Sequence, residues 1–234
     1  MNLFVFDFDK TITVSDTILP ISRYLSEWFN QKYKFRIIQF YFLLFRLNVI
    51  SGKSFKEMIT ATLLAGKEYD LIENVITQFY NAHSSELFNK EIIQLIKSKK
   101  EKGNKIIIIT SNLNLFVNPV KNTFPVDDIF ATTIEVKENK IGNYIKGKNC
   151  TGNVKAEILQ QYKTLNNFEK ITAYGDSTGD FEMLLKADEG FIAEYIFTNR
   201  FEKIKYRLKN LNGRIAENPK IVFKNFSEKY SFEV

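Results

Sequence analysis

The chain has 234 residues, enough for one large domain or two modest ones, and its 44% apolar content is ample for a core. Phe and Tyr are abundant while Gly and Pro are scarce, so the composition excludes a disordered or low-complexity chain. The single cysteine, Cys150, excludes an internal disulfide and favours a reducing, cytoplasmic location. The net charge is +6, and nine basic against four acidic residues place +5 of it on residues 200–234.

The first predicted element is a short buried strand over residues 3–6, an apolar run of the kind found in parallel sheets. Asp7 and Asp9 follow it. Residues two apart in an extended stretch point to the same side, so both carboxylates are expected to share one site at the end of the strand. A calcium loop is excluded, because Ile12 and Ile18 stand where such a loop needs Gly and Glu.

Residues 16–85 are predicted to form a helical insert with little strand signal. Its helices are expected to break near residues 30–34, 51–53 and 66–70. Asp16 is expected either to cap the first of these helices or to contact a substrate. The apolar segment 37–45 is too short to cross a bilayer, and we expect it to pack in the core. The alternative is that this segment lines an apolar substrate pocket or contacts a membrane surface.

Beyond the insert, strands alternate with helices, which predicts an α/β fold: a parallel sheet with helices on both faces. The predicted strands are 105–109, 129–136, 141–146, 170–174 and 190–193. The predicted helices are 87–102, 113–121, 152–163 and 177–186. Apolar residues at helical spacing in 201–211 predict a solvated surface helix in the basic tail, rather than a contact with nucleic acid or a membrane.

Three core strands are followed by polar residues: Asp7 and Asp9, then Thr110, then Asp176 and Asp180. A parallel sheet brings these ends to one edge, and Lys155 lies near the start of the helix before the last strand. Four carboxylates, a hydroxyl and a lysine predict phosphoryl transfer, with Mg²⁺ to offset the acids. Ser111 and Asn112 are expected to open a helix whose free N–H groups bind phosphate.

The motifs DFDKT (residues 7–11), IIIIT (106–110), Lys155 and YGDSTGD (174–180) together resemble the haloacid dehalogenase superfamily. The insert directly after the first motif resembles its phosphoserine-phosphatase-like branch. The resemblance implies a Rossmann-like catalytic core of residues 1–15 and 86–234 and a small all-helical cap of residues 16–85.

The resemblance also implies a role for each matching residue. Asp7 would be the nucleophile that forms an aspartyl-phosphate, and Asp9 the general acid and later the base. Thr110 would hydrogen-bond a phosphate oxygen, and Lys155 would neutralise charge. The ligands of Mg²⁺ would be Asp7, the backbone carbonyl of Asp9, Asp176, and Asp180 in the outer shell or through water.

The expected activity is therefore hydrolysis of a small soluble phosphomonoester. Asp16 and the pair Ser111–Asn112 depart from the Glu and Gly-Gly of phosphoserine enzymes, which argues against phosphoserine itself.

The apolar insert and basic tail resemble phosphatidylglycerophosphate phosphatases of this branch, so a lipid or polyprenyl phosphate is the alternative, with peripheral membrane contact. A phosphotransferase is another alternative. A binding module is disfavoured because every catalytic position is occupied. No nucleic-acid partner or transmembrane segment is expected, and the oligomeric state is left open.

Overall fold

The computed structural model describes residues 1–195 and 221–226, so the predicted helix in the basic tail lies outside the described residues. The strands are β1 (Leu3–Phe6), β2 (Lys105–Leu113), β3 (Asp128–Thr132), β4 (Ile134–Lys137), β5 (Lys140–Ile145), β6 (Ile171–Gly175), β7 (Glu189–Tyr195) and β8 (Ile221–Phe226). The helices are α1 (Ile18–Trp28), α2 (Lys32–Arg46), α3 (Gly52–Ile59), α4 (Tyr69–Leu87), α5 (Lys90–Glu101), α6 (Asn114–Val117), α7 (Asn153–Leu165) and α8 (Phe181–Lys186). Short turns of 3-10 or π type cover Phe8–Ile12, Thr60–Leu64 and Asn118–Asn122.

Six of these strands form one parallel sheet, in the order β3-β2-β1-β6-β7-β8. Alternate residues of a strand face opposite sides of the sheet, so Leu3 and Val5 join a core with α7 and α8. Phe4 and Phe6 join the other core, with α5 and the helices α1–α4. The predicted α/β fold with helices on both faces is confirmed. The strand β8, which lies in the basic tail, was not predicted.

The helical insert α1–α4 follows β1, and its helices break within a few residues of the predicted positions, at 29–31, 47–51 and 65–68. A hairpin of β4 and β5 contacts this insert through backbone hydrogen bonds. The Gly66 N–H donates to the Ile141 carbonyl at 2.8 Å, and the Tyr69 N–H donates to the Asn139 carbonyl at 2.8 Å. The predicted single strand 129–136 is thus wrong: β3 belongs to the main sheet, whereas β4 turns back on β5. Positive φ angles at Glu138 and Asn139 form the tight two-residue turn that requires this pairing.

The apolar segment 37–45 lies on α2, and the expectation that it packs in the core is wrong for much of it. Within this helix Ile38 is buried, whereas Phe40 and Leu43 are 57% and 52% exposed. A single helix on the surface of a bundle buries only the side that faces its neighbours. Here Phe42 and Phe45 face Phe55 of α3, with ring centroids 5.8 and 5.3 Å away. Among the described residues, no helix combines the length and apolar character needed to cross a membrane.

Candidate active site

The site lies at the carboxyl edge of the three central strands. Strands β2, β1 and β6 are neighbours, and Phe6 pairs in register with Ile108 on one side and Tyr174 on the other. The Asp7 N–H donates to the Tyr174 carbonyl at 2.8 Å, which places Asp7 directly beside the loop after β6. The sheet therefore brings the ends that carry Asp7, Thr110 and Asp176 to one place, because parallel strands in register end together.

Lys155 joins two of the carboxylates. It lies in the first turn of α7, is 2% exposed, and its ammonium donates to Asp7 Oδ1 at 2.6 Å and to Asp180 Oδ1 at 2.5 Å. Burial alone would lower the pKa of Lys155, but the negative charges of Asp180 and Asp7 raise it above its ordinary value. The lysine is therefore charged at neutral pH, and it fixes the orientation of Asp7.

Asp180 organises the loop after β6. Its Oδ2 accepts hydrogen bonds from the Asp176 N–H, the Ser177 N–H and the Ser177 hydroxyl at 3.2, 3.0 and 2.9 Å. The Asp180 side chain can lie this close to the loop backbone only with glycine at position 175, because a Cβ there would lie 2.5 Å from the Asp180 Cβ. The loop continues through Asp180, so α8 begins at Phe181 and the predicted start at residue 177 is wrong. Both Asp180 oxygens are occupied by protein donors.

Three carboxylates of the site could hold a cation. One oxygen from each of Asp7, Asp176 and Asp180 lies within 4.8 Å of the others. Burial, with the negative charge of Asp180, raises the pKa of Asp7 to about 6 against the opposing effect of Lys155. Burial and the charges of Asp180 and Asp7 also raise the pKa of Asp176 well above its ordinary value. Crowded acids and an all-oxygen donor set fit a hard divalent cation such as Mg²⁺.

The Asp9 carboxylate bonds to a different pair of residues. Its Oδ1 accepts hydrogen bonds from the Thr17 N–H at 2.8 Å and the Thr17 hydroxyl at 2.7 Å, and its Oδ2 accepts one from the Asn112 amide at 2.8 Å. Burial raises the pKa of Asp9 to about 7, the charge of Asp16 adds to the rise, and Thr17 opposes it. Thr17 precedes α1, so Asp9 connects the sheet edge to the start of the helical insert.

Ser111 and Asn112 do not open a helix, so that expectation is wrong. The strand β2 continues to Leu113, and the helix that follows has only four residues. The Asn112 N–H donates to the Thr110 hydroxyl at 3.2 Å, and the Leu113 N–H donates to the Asn112 side-chain carbonyl at 2.7 Å. These local bonds satisfy the N–H groups of Asn112 and Leu113, which the expected helix start would have left free to bind phosphate. Ser111 is half-buried at this edge, and its carbonyl accepts a hydrogen bond from Thr132.

Asp16 does not cap a helix either. The first helix of the insert is preceded by Thr17 at the cap position, and no side-chain cap bond is present there. Asp16 instead forms an ion pair with Lys10, with 2.5 Å between Oδ2 and Nζ. The side chains of the two residues are 50% and 41% exposed, so this pair lies at the mouth of the site.

Lys56 is a candidate site residue that the sequence reasoning missed. It lies on α3 of the insert, is buried, and donates from Nζ to the Asn149 side-chain carbonyl at 2.9 Å. Burial lowers its pKa to about 8, and the charges of Asp9, Lys155 and Asp7 are near enough to affect it. The available signal was a lysine within the buried stripe of an amphipathic helix, directly after Phe55.

Comparison with known proteins shows the family to which the chain belongs. A family profile described as haloacid dehalogenase-like hydrolase matches residues 4–185. The protein CicA of Caulobacter vibrioides is 26% identical over 191 residues, covering 80% of this chain and 83% of its own. A phosphoserine phosphatase of Methanocaldococcus jannaschii is 25% identical over 190 residues, covering 79% and 82%. A solved phosphoserine phosphatase with a phospho-aspartyl intermediate analogue has a TM-score of 0.59 at 20% identity, over 82% of this chain and 86% of that one.

The chain belongs to the haloacid dehalogenase-like hydrolase family. The predicted resemblance to its phosphoserine-phosphatase-like branch is confirmed by these relatives, and so is the prediction of an enzyme of this family. The individual roles of the site residues stay predictions.

Proposed function

We propose that the protein is a Mg²⁺-dependent phosphatase that hydrolyses a small phosphomonoester through an aspartyl-phosphate on Asp7. The observation that carries the proposal is the convergence of one oxygen each from Asp7, Asp176 and Asp180 within 4.8 Å. The Lys155 ammonium pairs with Asp7 and Asp180 of this cluster. The relatives described as phosphoserine phosphatases support the same chemistry. We also propose that residues 16–85 act as a cap over a core of residues 1–15 and 86–234, with the hairpin β4–β5 bound to the cap.

The reaction proceeds in two displacements. An oxygen of Asp7 attacks phosphorus, the bond to the leaving-group oxygen breaks, and Asp9 donates a proton to that oxygen. Asp9 then takes a proton from water, whose oxygen attacks phosphorus and releases Asp7 and inorganic phosphate. A pKa of about 7 lets Asp9 hold a proton in the first step and accept one in the second at neutral pH.

Two other groups stabilise the transferring phosphoryl group. The buried Lys155 neutralises charge beside Asp7, and Thr110 hydrogen-bonds a phosphate oxygen. Bound Mg²⁺ would be held by Asp7 and Asp176, with the backbone carbonyl of Asp9, and would offset the negative charge of phosphate. Because both oxygens of Asp180 are occupied, Asp180 would act on the metal through water. Asn112 acts here as a positioning residue for Asp9.

Removal of the metal provides the first test. Purified protein is expected to release p-nitrophenol from p-nitrophenyl phosphate in Mg²⁺ and to lose that activity in EDTA. Mg²⁺ is also expected to raise the thermal midpoint, since it binds only the folded state, and Asp176→Asn should remove the rise. The rise should persist in Asp188→Asn, a carboxylate outside the cluster. Equal hydrolysis in EDTA and Mg²⁺ would contradict the proposal.

Lys56 supplies a cation from the cap, which favours a substrate with a second anionic group beside its phosphate. Lys56→Met is therefore expected to raise KM for phosphoserine about tenfold more than for p-nitrophenyl phosphate, with little change in kcat, because one charged hydrogen bond is lost.

A lysine with a pKa of about 8 is charged below that pH and neutral above it. The wild-type KM for phosphoserine should therefore rise above about pH 8, whereas that of the variant should not.

The exposed Lys53 on the same helix offers the control, and Lys53→Met should leave both KM values unchanged. Equal effects of Lys56→Met on the two substrates would remove Lys56 from substrate recognition. The proposal for the reaction itself would stand, since it rests on the carboxylate cluster.

A lipid or polyprenyl phosphate is the second candidate substrate, and the exposed apolar side chains of α2 favour it. Faster turnover of phosphatidylglycerophosphate than of soluble monoesters would select it. The cytoplasmic location stays a prediction.

A further inference from the structure

The α2 helix presents an apolar strip to solvent. Tyr33, Ile37, Phe40 and Leu43 of α2 and Leu47 directly after it, hereafter the α2 face, recur every three or four residues. They are 64%, 37%, 57%, 52% and 62% exposed. Such spacing places all five on one side of a helix. Large apolar side chains grouped on a surface mark a site of interaction with another molecule or with lipid.

The stretch of sequence that carries the α2 face has charges of one sign. No acidic residue occurs between Glu27 and Glu57, whereas this stretch contains Lys32, Lys34, Arg36, Arg46, Lys53 and the buried Lys56. Lys32 and Arg36 are exposed on the first turns of α2. The partner of this surface is therefore expected to be anionic, because a positive surface attracts negative charge and repels positive charge.

A cavity of about 380 Å³ lies beside the same turns of α2. Its lining includes the side chains of Arg23, Lys32 and Arg36, and Glu27 is the acidic residue among them. Arg23 Nε lies 3.1 Å from Glu27 Oε1, so this pair neutralises itself. Lys32 and Arg36 leave the cavity with a net positive lining, which suits the phosphate of a headgroup.

A second copy of the chain offers this surface no opposite charge. A two-fold interface places the same patch on both sides, and residues 28–56, which carry the basic residues of this patch, contain no acidic residue. A membrane surface fits better. Aromatic rings favour the boundary between headgroups and acyl chains, and Tyr33 and Trp28, which is 46% exposed, offer such rings here. Fifteen residues of helix extend only about 22 Å, so α2 would lie in the plane of the membrane.

We propose that the α2 face docks on an anionic phospholipid bilayer. Phe40, Leu43 and Leu47 enter the acyl boundary, while Lys32 and Arg36 contact headgroup phosphates. The proposal does not depend on the chemistry of the active site. It holds whether the substrate is a soluble monoester or a lipid.

The test is sedimentation of the full chain with vesicles of phosphatidylcholine alone or of phosphatidylcholine mixed with phosphatidylglycerol. Binding to the mixed vesicles should exceed binding to the neutral ones by at least about tenfold and should weaken in high salt. Phe40→Asp with Leu43→Asp should lower it at least about tenfold, and so should Arg36→Glu. These side chains are exposed, and unchanged thermal midpoints would verify that the variants fold.

Two controls locate the contact. Leu165→Asp replaces an 81% exposed leucine on α7, and Lys102→Glu reverses an exposed charge next to α5; both should bind as the wild type does. Asp7→Asn should also bind normally, which separates docking from catalysis. Three results would overturn the proposal: no preference for phosphatidylglycerol, undiminished binding by the α2 variants, or dissociation of a dimer by Phe40→Asp without vesicle binding.

Discussion

Asp7→Asn is expected to lower phosphatase turnover by at least about 1000-fold, since an amide oxygen cannot form the aspartyl-phosphate. The variant should fold at least as well as the wild type without metal. Burial places the pKa of Asp7 at about 6, above its ordinary value, so ionising this carboxylate at pH 7 opposes folding. That unfavourable contribution is present above pH 6, declines as the pH falls toward 4, and is absent from the Asn variant.

The measurements are hydrolysis of p-nitrophenyl phosphate in Mg²⁺ and thermal unfolding of metal-free protein. Asp70→Asn provides a matched control, because Asp70 is an exposed carboxylate on α4. It should retain full turnover. Wild-type rates in Asp7→Asn would rule out the covalent mechanism, and unfolding of the variant would be distinguished from lost chemistry by its thermal midpoint.

Lys155→Met is expected to lower the free energy of unfolding by about 3–5 kcal/mol at pH 7 and to reduce turnover severely. The change removes the one partner that Asp7 Oδ1 and Asp180 Oδ1 share, and it leaves two buried carboxylates without that cation. The pKa of Lys155 is raised on folding, so its contribution is complete at neutral pH and declines only as the pH rises through the folded-state pKa.

The pH dependence of the Lys155→Met deficit provides a second readout. Without the lysine, the carboxylates take up protons more readily, so the deficit measured in metal-free protein should be smaller at pH 5 than at pH 7. Lys163→Met on the same helix removes an exposed lysine and should change stability by less than about 0.5 kcal/mol. Adding Asp180→Asn to Lys155→Met should recover part of the loss, since one unpaired charge disappears. Equal deficits for Lys155→Met and Lys163→Met would contradict this account.

Much of the site could be predicted because its residues lie at the ends of local patterns. The strands β1, β2 and β6 are apolar runs, and the polar residues that follow them identify the functional edge once a parallel sheet is inferred. The spacing of turns likewise located the helices of the insert. Each of these features depends on neighbours in sequence, so the sequence pattern is sufficient.

Side-chain partners could not be predicted in the same way. Asn112 was assigned to phosphate binding, yet its amide donates to Asp9, which is 103 residues away. Lys56 donates to Asn149, which is 93 residues away, and its place in the buried stripe of α3 indicates burial without identifying this partner. The extension of β2 to Leu113 accompanies the pairing of Leu113 with Thr132 of β3, which forms only when the two strands meet in the sheet.

The sequence alone determined the alternation of strands with helices, the parallel sheet and the carboxylates at its edge, because hydrophobic periodicity and the residues that end it are local properties. The tertiary structure decided which side chains meet and which stay in solvent. Helical periodicity identifies the apolar side of a helix but does not show whether another element packs against it. One side of α2 packs on α3, whereas Phe40 and Leu43 are exposed to solvent. Contacts between distant residues, such as Lys155 with Asp7, exist only when the sheet and helices are assembled.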